Sequence, residues 1–305
     1  MLSPSVTLRE FFQGHYLPHK IDDPTSRAVD NYTAALNKWE LLTSNPPLAE
    51  ITAITLCEFK AALFRFRKPS GDPLSRTTIA NRVDHVQYLL KHAGPLGSTP
   101  TAAGLLERPP TTKSPTRQES YRPPAAAADV RALYAAADAA RLPSLDGVRP
   151  GALWRALLST ICSTSLRIGQ LCAAPTSALQ LDQRLLVLPA GVCKKSKREE
   201  PHPLNDRAVA DLMAIRSPRE LLFPLLEVHS KTTIYGELHR LQELAGVPRF
   251  GFHDLRARVI TELSAIAPAA AQLAAGHAAY KTTQRYQLLD LLGRAVERFD
   301  LLGSA

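Results

Sequence analysis

Long apolar runs are missing from this sequence. No window reaches about 18 uninterrupted apolar residues, so a membrane-spanning helix is excluded. The opening residues Met1-Leu2-Ser3-Pro4-Ser5 lack a basic n-region and an apolar h-region, and secretion is not indicated. Cysteine is scarce: Cys57, Cys162, Cys172 and Cys193 form no C-x-x-C pair and no metal-ligand spacing. That argues against zinc modules and disulfide scaffolds, and free thiols in a reducing cytoplasm are the simplest reading. Acidic residues are also short, 28 against 37 Lys and Arg, for a net charge of +9. With a pI near 9.5, the chain calls for a polyanionic partner. Nucleic acid comes first, because Lys and Arg neutralise phosphates.

What remains is ordinary globular material, 45% apolar and 21% charged, and 305 residues favour two domains over one. Residues 1–108 read as four helices on short loops. A cap near Ser5 precedes Leu8 and Phe11. Pro24-Thr25-Ser26 opens a second helix with Val29, Tyr32, Leu36 and Trp39 at helical spacing. Leu56, Phe59, Leu63 and Phe66 mark a third helix. Ser75 starts a fourth, striped by Ile79, Val83, Val86 and Leu90. Together these predict a small bundle. Residues 109–123 carry Pro109, Pro110, Pro115 and Pro123 among Thr, Ser, Lys113, Arg117 and Arg122, which predicts a semi-extended linker.

From 124 to 305 the pattern is again helical. An alanine-rich helix spans Ala125–Leu142, and a buried one spans Trp154–Leu171, broken or bent near Ser163-Thr164-Ser165. Three short strands follow, at Leu179–Leu181, Leu185–Leu188 and Glu200–Leu204. Asn205 caps a helix to Ile215; further helices cover Thr232–Ala245, His253–Ile266 and Ala269–Ala275. The predicted class is mainly α with a small antiparallel sheet.

Five chemistry-bearing pieces occur in order. They are Ser165-Leu166-Arg167-Ile168-Gly169-Gln170-Leu171, the basic run Lys194-Lys195-Ser196-Lys197-Arg198, His253-Asp254-Leu255-Arg256, Gly276-His277, and Thr282-Thr283-Gln284-Arg285-Tyr286. They hold cations and hydrogen-bond donors, one nucleophile and no metal ligand set. A phosphodiester repels nucleophiles and gathers more charge in its transition state, so preorganised cationic donors lower the barrier. Arginine grips two phosphate oxygens at once and stays protonated; that role falls to Arg167 and Arg256. His253, three residues before Arg256, shares its helix face and would donate to the phosphate or accept the tyrosine proton. A phenol with a pKa near 10 is a poor nucleophile unless positive charge or a base surrounds it.

In this order, and with Tyr286 nine residues after His277, the chain resembles the tyrosine recombinase (phage integrase) family. Its pattern is an arginine in "GLRxxEL", a lysine on a β-hairpin, H-x-L-R, and "GHxxxxTTxxY". The resemblance implies a SAM-like, helical N-terminal core-binding domain over 1–108, clamping double-stranded DNA opposite a catalytic domain over 124–305. Arg76, Arg82 and Lys91, off the apolar stripe of the fourth helix, become candidates for DNA contact, joined by Lys194 and Lys197 of the basic turn. Tyr286 becomes the nucleophile, with Tyr280 standing where the family packs a hydrophobic residue. His277 would bond the scissile phosphate. The general acid for the leaving oxygen would be Lys195, eight residues before Pro203, with Lys194 next in line.

By the same resemblance neither nucleotide nor metal is required. The protein would be a monomer or weak oligomer free and a tetramer on DNA. An apolar stripe from Leu288 to Leu302 would act in assembly, and the short N-terminus would carry no separate arm-binding domain. Three departures stand out: Gln170 replaces the usual acidic residue three after the first arginine, Ser165 replaces a glycine, and Cys172-Ala173-Ala174-Pro175 lacks the usual basic-aromatic continuation. The rival readings are a type IB topoisomerase-like nicking-closing enzyme and a DNA-binding protein with a dead site.

Overall fold

The computed structural model describes residues 3–23, 26–117, 123–145, 147–192, 198–269, 271 and 296. The chain divides into two compact units, Met1–Ser120 and Tyr121–Ala305.

Among its described residues the first unit is built of helices, with a single isolated bridge between Arg67 and Pro73. Helix α1, Leu8–Phe11, continues through a π-helical turn, Phe12–Tyr16, into α2, Leu17–Lys20. Then come α3, Arg27–Leu42, α4, Ala53–Arg65, and α5, Arg76–Ala93. The first helix is capped by Thr7, two residues beyond the expected Ser5. Its hydroxyl accepts from the Glu10 N–H at 3.3 Å, while Glu10 takes the Thr7 N–H at 2.8 Å. Thr52 and Ser75 cap α4 and α5 in the same way. The periodic residues meet inside: Leu36, Trp39, Leu56, Phe59, Leu63, Ile79, Val83, Val86 and Leu90 are all buried. Phe66 departs from its expected place in the third helix. Helix α4 stops at Arg65, and Phe66 turns extended with the Lys38 ammonium 3.6 Å over its ring.

In the second unit α6, Ala127–Ala136, and α7, Pro150–Thr164, replace the two long helices read from sequence. The first is shorter than expected: it tightens into a 3-10 turn at Ala137–Ala139, and Ala140 is extended. The second breaks where expected, and α8, Ile168–Cys172, follows. Strands β1, Leu179–Gln180, β2, Leu185–Leu188, and β3, Glu200–Pro203, form an antiparallel sheet in that order, with Leu185 opposite Pro203 and Leu188 opposite Glu200. Helices α9, Asp206–Ala214, α10, Leu225–Val228, α11, Lys231–Leu244, and α12, Phe252–Ile266, complete the described elements. Trp154, Leu157 and Leu158 of α7 lie in the core with Leu238, Leu241, Leu255, Val259 and Leu263. The Trp154 ring stacks on Phe252, centroids 6.1 Å apart, so α12 is packed by its first residue. Among the described residues no helix is long and apolar enough to cross a membrane.

One buried carboxylate braces this unit. Glu237 of α11, 5% exposed, accepts the Arg141 N–H at 2.6 Å and both Nε and Nη2 of Arg240, at 2.9 and 2.7 Å. Burial alone would raise its pKa, but Arg240 and the backbone amides hold it below the usual carboxylate range. A depressed folded pKa stabilises above the unfolded value and loses that contribution as pH falls through the folded one. Unfolding titrations should therefore show a loss of stability below about pH 4.5 that Glu237→Gln removes. Glu237→Ala should lower unfolding stability by about 2–3 kcal/mol, the lower end for broken buried pairs, because Arg240 can turn to water.

Candidate active site

The junction between α7 and α8 has an unusual backbone, and two of the sequence-predicted arginines depend on it. Helix α7 ends at Ser165, which is fully buried and left-handed, with φ 53° and ψ 22°. Its N–H closes the helix on the Ile161 carbonyl at 2.8 Å. A left-handed residue usually is glycine, since an L side chain crowds its own carbonyl there. The position where the resemblance expects glycine is thus one whose conformation calls for it. Ser165→Gly should be tolerated within about 1 kcal/mol, whereas Ser165→Val should lower the unfolding free energy read by denaturant titration by about 2–3 kcal/mol, through αL strain plus crowding.

Reversing direction at Ser165 sends Leu166 into the core and Arg167 to the surface. Arg167 is the N-cap of α8. Its N–H donates to the Gln170 side-chain oxygen at 3.0 Å, and the Gln170 N–H returns to the Arg167 carbonyl at 2.8 Å. The amide that replaces the expected acid therefore fixes the backbone of the first arginine.

The second arginine comes from another part of the chain. Helix α12 starts after Gly251, whose N–H is taken by the Asp254 carboxylate at 2.8 Å. His253 stands exposed in the first turn, Leu255 is buried, and Arg256 is only 4% exposed. Arg256 Nη1 donates to the Ser165 carbonyl. The bond ties α12 to the residue that aims Arg167, so both arginines attach to one turn although 256 and 167 are far apart in sequence. Helix periodicity places Arg256 beside His253. What periodicity does not reveal is the burial of Arg256 or its carbonyl partner.

The remaining candidates are placed as follows. Lys194, Lys195, Lys197, His277 and Tyr286 lie outside the described residues, as do Ala270 and residues 272–275 of the last expected helix and most of the tail. Arg76, first residue of α5, and Lys91, in its last turn, are exposed. Arg82 is half-buried and donates to the Asn31 carbonyl of α3 at 3.1 Å, with burial lowering its pKa. It already serves its own unit. Among the described residues no group of three or more His, Cys, Asp or Glu is placed to hold a metal ion.

The fold is similar to those of solved integrases. A structure of the Tn1549 transposon integrase in complex with transposon right end DNA matches with a TM-score of 0.65 at 12% identity, over 92% of this chain and 98% of that one. A lambda integrase dimer bound to a COC′ core site matches at 0.61 and 17% identity, over 95% and 79%. A lambda integrase tetramer bound to a Holliday junction matches at 0.61 and 19% identity, over the same shares. No match was found among curated proteins. These folds are those of the tyrosine recombinases, and the mainly helical architecture with its small antiparallel sheet is theirs. The phage integrase family model matches residues 126–290, more than half of the chain, and the protein belongs to that family.

Proposed function

We propose that the protein is a site-specific DNA recombinase that cuts and rejoins strands through a tyrosine-linked intermediate. The observation that carries this is the Arg256–Ser165 bond, which ties the second arginine to the turn presenting the first, within a chain of this family.

On this reading Arg167, Arg256 and His277 hold the scissile phosphate of double-stranded DNA, and their positive charge meets the charge that grows on its oxygens. His253 donates to that phosphate or takes the phenolic proton. Tyr286 attacks phosphorus, a 3′-phosphotyrosyl ester forms, and the 5′ oxygen leaves with a proton from Lys195, or from Lys194. The 5′ hydroxyl of a partner strand then attacks the ester and frees the tyrosine, and two such exchanges pass through a Holliday junction. One phosphoester replaces another at each step, so bond energy is conserved and neither nucleotide nor metal is consumed. The first unit supplies the second arm of a DNA clamp, with Arg76 and Lys91 as backbone contacts; Lys197 contacts the DNA from the basic turn. Recombination needs four active sites, so self-association on DNA into a tetramer belongs to the proposal. The solved relatives include a dimer on a core site and a tetramer on a Holliday junction, which supports it.

The test is a nicked duplex that traps the cleaved strand, incubated with the protein and run under denaturing conditions. A protein–DNA conjugate is expected. Its complete absence on flanking genomic sequences would overturn the proposal. Conjugate formation with relaxation of supercoils, but without strand exchange between duplexes, would leave a nicking-closing enzyme instead.

A further inference from the structure

Helix α12 carries His253 and Arg256 on one side, the side that the reading above assigns to the phosphate. Whatever keeps the helix in place has to act from its other sides. Leu255, Val259 and Leu263 anchor one flank in the core. The back of the helix is gripped by the segment that leads into α6. Ala125 is buried there; its N–H donates to the Asp254 carbonyl at 3.4 Å, and its carbonyl takes Arg258 Nε at 2.6 Å. Arg258 Nη1 bonds the Glu262 carboxylate, one turn further on, at 2.9 Å. Asp254, Arg258 and Glu262 follow one another at four-residue intervals and share a helix face. The Arg258 guanidinium is thus held between a carboxylate and a backbone carbonyl, with only 23% of its side chain exposed.

At about 100° of rotation per residue, Arg256 and Arg258 leave the helix axis about 160° apart. Each ends on a backbone carbonyl of a different segment: Arg256 on Ser165, at the end of α7, and Arg258 on Ala125, just before α6. Two donors on nearly opposite sides of one helix resist its roll. Apolar packing resists roll less well, because burial is non-directional, whereas a hydrogen bond weakens steeply when bent.

We propose that Arg258 is a positioning residue of the cleavage site: by fixing the roll of α12 it sets the direction in which His253 faces the scissile phosphate. It touches no reacting atom. The effect on cleavage rests on the recombinase reading; the grip on α12 does not. Misplacing a catalytic group by about 1 Å can cost about 100-fold in rate. The core and the Arg256–Ser165 bond still limit the roll when Arg258 is lost, so about tenfold is expected here.

Arg258→Met keeps an unbranched, helix-favouring side chain and removes the donors. With the full chain saturating a nicked duplex, single-turnover conjugate formation should slow about tenfold, while duplex affinity stays within about twofold of the parent. Arg258→Lys, which keeps a donor for the Ala125 carbonyl, should recover to within about threefold. The rate constant is the decisive readout. A merely destabilised protein loses conjugate yield in proportion to its unfolded fraction, and the folded fraction still reacts at the parent rate. Without DNA, backbone hydrogen exchange in the first two turns of α12 should be at least about fivefold faster in Arg258→Met, with α11 unchanged. A parent rate constant at lower yield would make Arg258 a stabilising residue only and overturn the proposal. So would weaker duplex binding at an unchanged rate constant, which would make it a DNA contact. Unchanged exchange in α12 would overturn the grip itself. If the parent forms no conjugate, the recombinase reading falls and the positioning role with it, while the exchange result still decides whether Arg258 holds the helix.

Discussion

Tyr286→Phe should eliminate the covalent protein–DNA conjugate, a loss of at least about 1,000-fold set by the limit of detection, while duplex affinity stays within about twofold. The argument turns on one atom. Phenylalanine keeps the ring and removes only the oxygen that would attack phosphorus. On the proposed mechanism no cationic neighbour can replace a missing nucleophile, because Arg167, Arg256 and the histidines would act by stabilising charge or moving protons. Binding should survive, since phosphate contacts by Lys and Arg dominate DNA affinity. Tyr280 is the internal control: Tyr280→Phe should still form conjugate. If the conjugate persisted in Tyr286→Phe and vanished in Tyr280→Phe, the nucleophile would have to be reassigned.

Arg256→Ala should show the second largest effect, and on two readouts at once. Removing one preorganised donor from a charge-building transition state typically slows the step by about 100–1,000-fold. The same side chain is buried and donates to the Ser165 carbonyl, so its loss also strands an acceptor, for about 1–3 kcal/mol of stability. The two losses separate experimentally. Single-turnover cleavage, well below the unfolding temperature, reads the first, and urea unfolding reads the second. Arg256→Lys keeps a charge without the planar fork, so cleavage should recover only in part. Lost stability with cleavage unchanged would reduce Arg256 to a structural brace.

Much of this was legible in the sequence because it depends on short-range chemical order. Helical periodicity located the cores of both units down to Leu36, Trp39, Val83 and Leu255, since burial repeats every three or four residues along an amphipathic helix. Asn205 announced the start of α9 and accepts the Ala208 N–H at 2.9 Å. The strand segments and the break after α7 were marked by turn chemistry. The misses lie where tertiary context overrode local pattern: Phe66 left its helix to lie under Lys38, and α6 stopped short at its 3-10 turn.

By itself the amino-acid order determined the list of reactive groups and their family, because residue type and spacing survive without any three-dimensional arrangement. The tertiary structure alone decided what the described polar groups are attached to. Ser165 accepts from an arginine 91 residues away, Glu237 binds an amide 96 residues back, and Asp84 holds a stretch some 30 residues on. Such partners are chosen by how folded elements pack, and local sequence pattern carries no record of them.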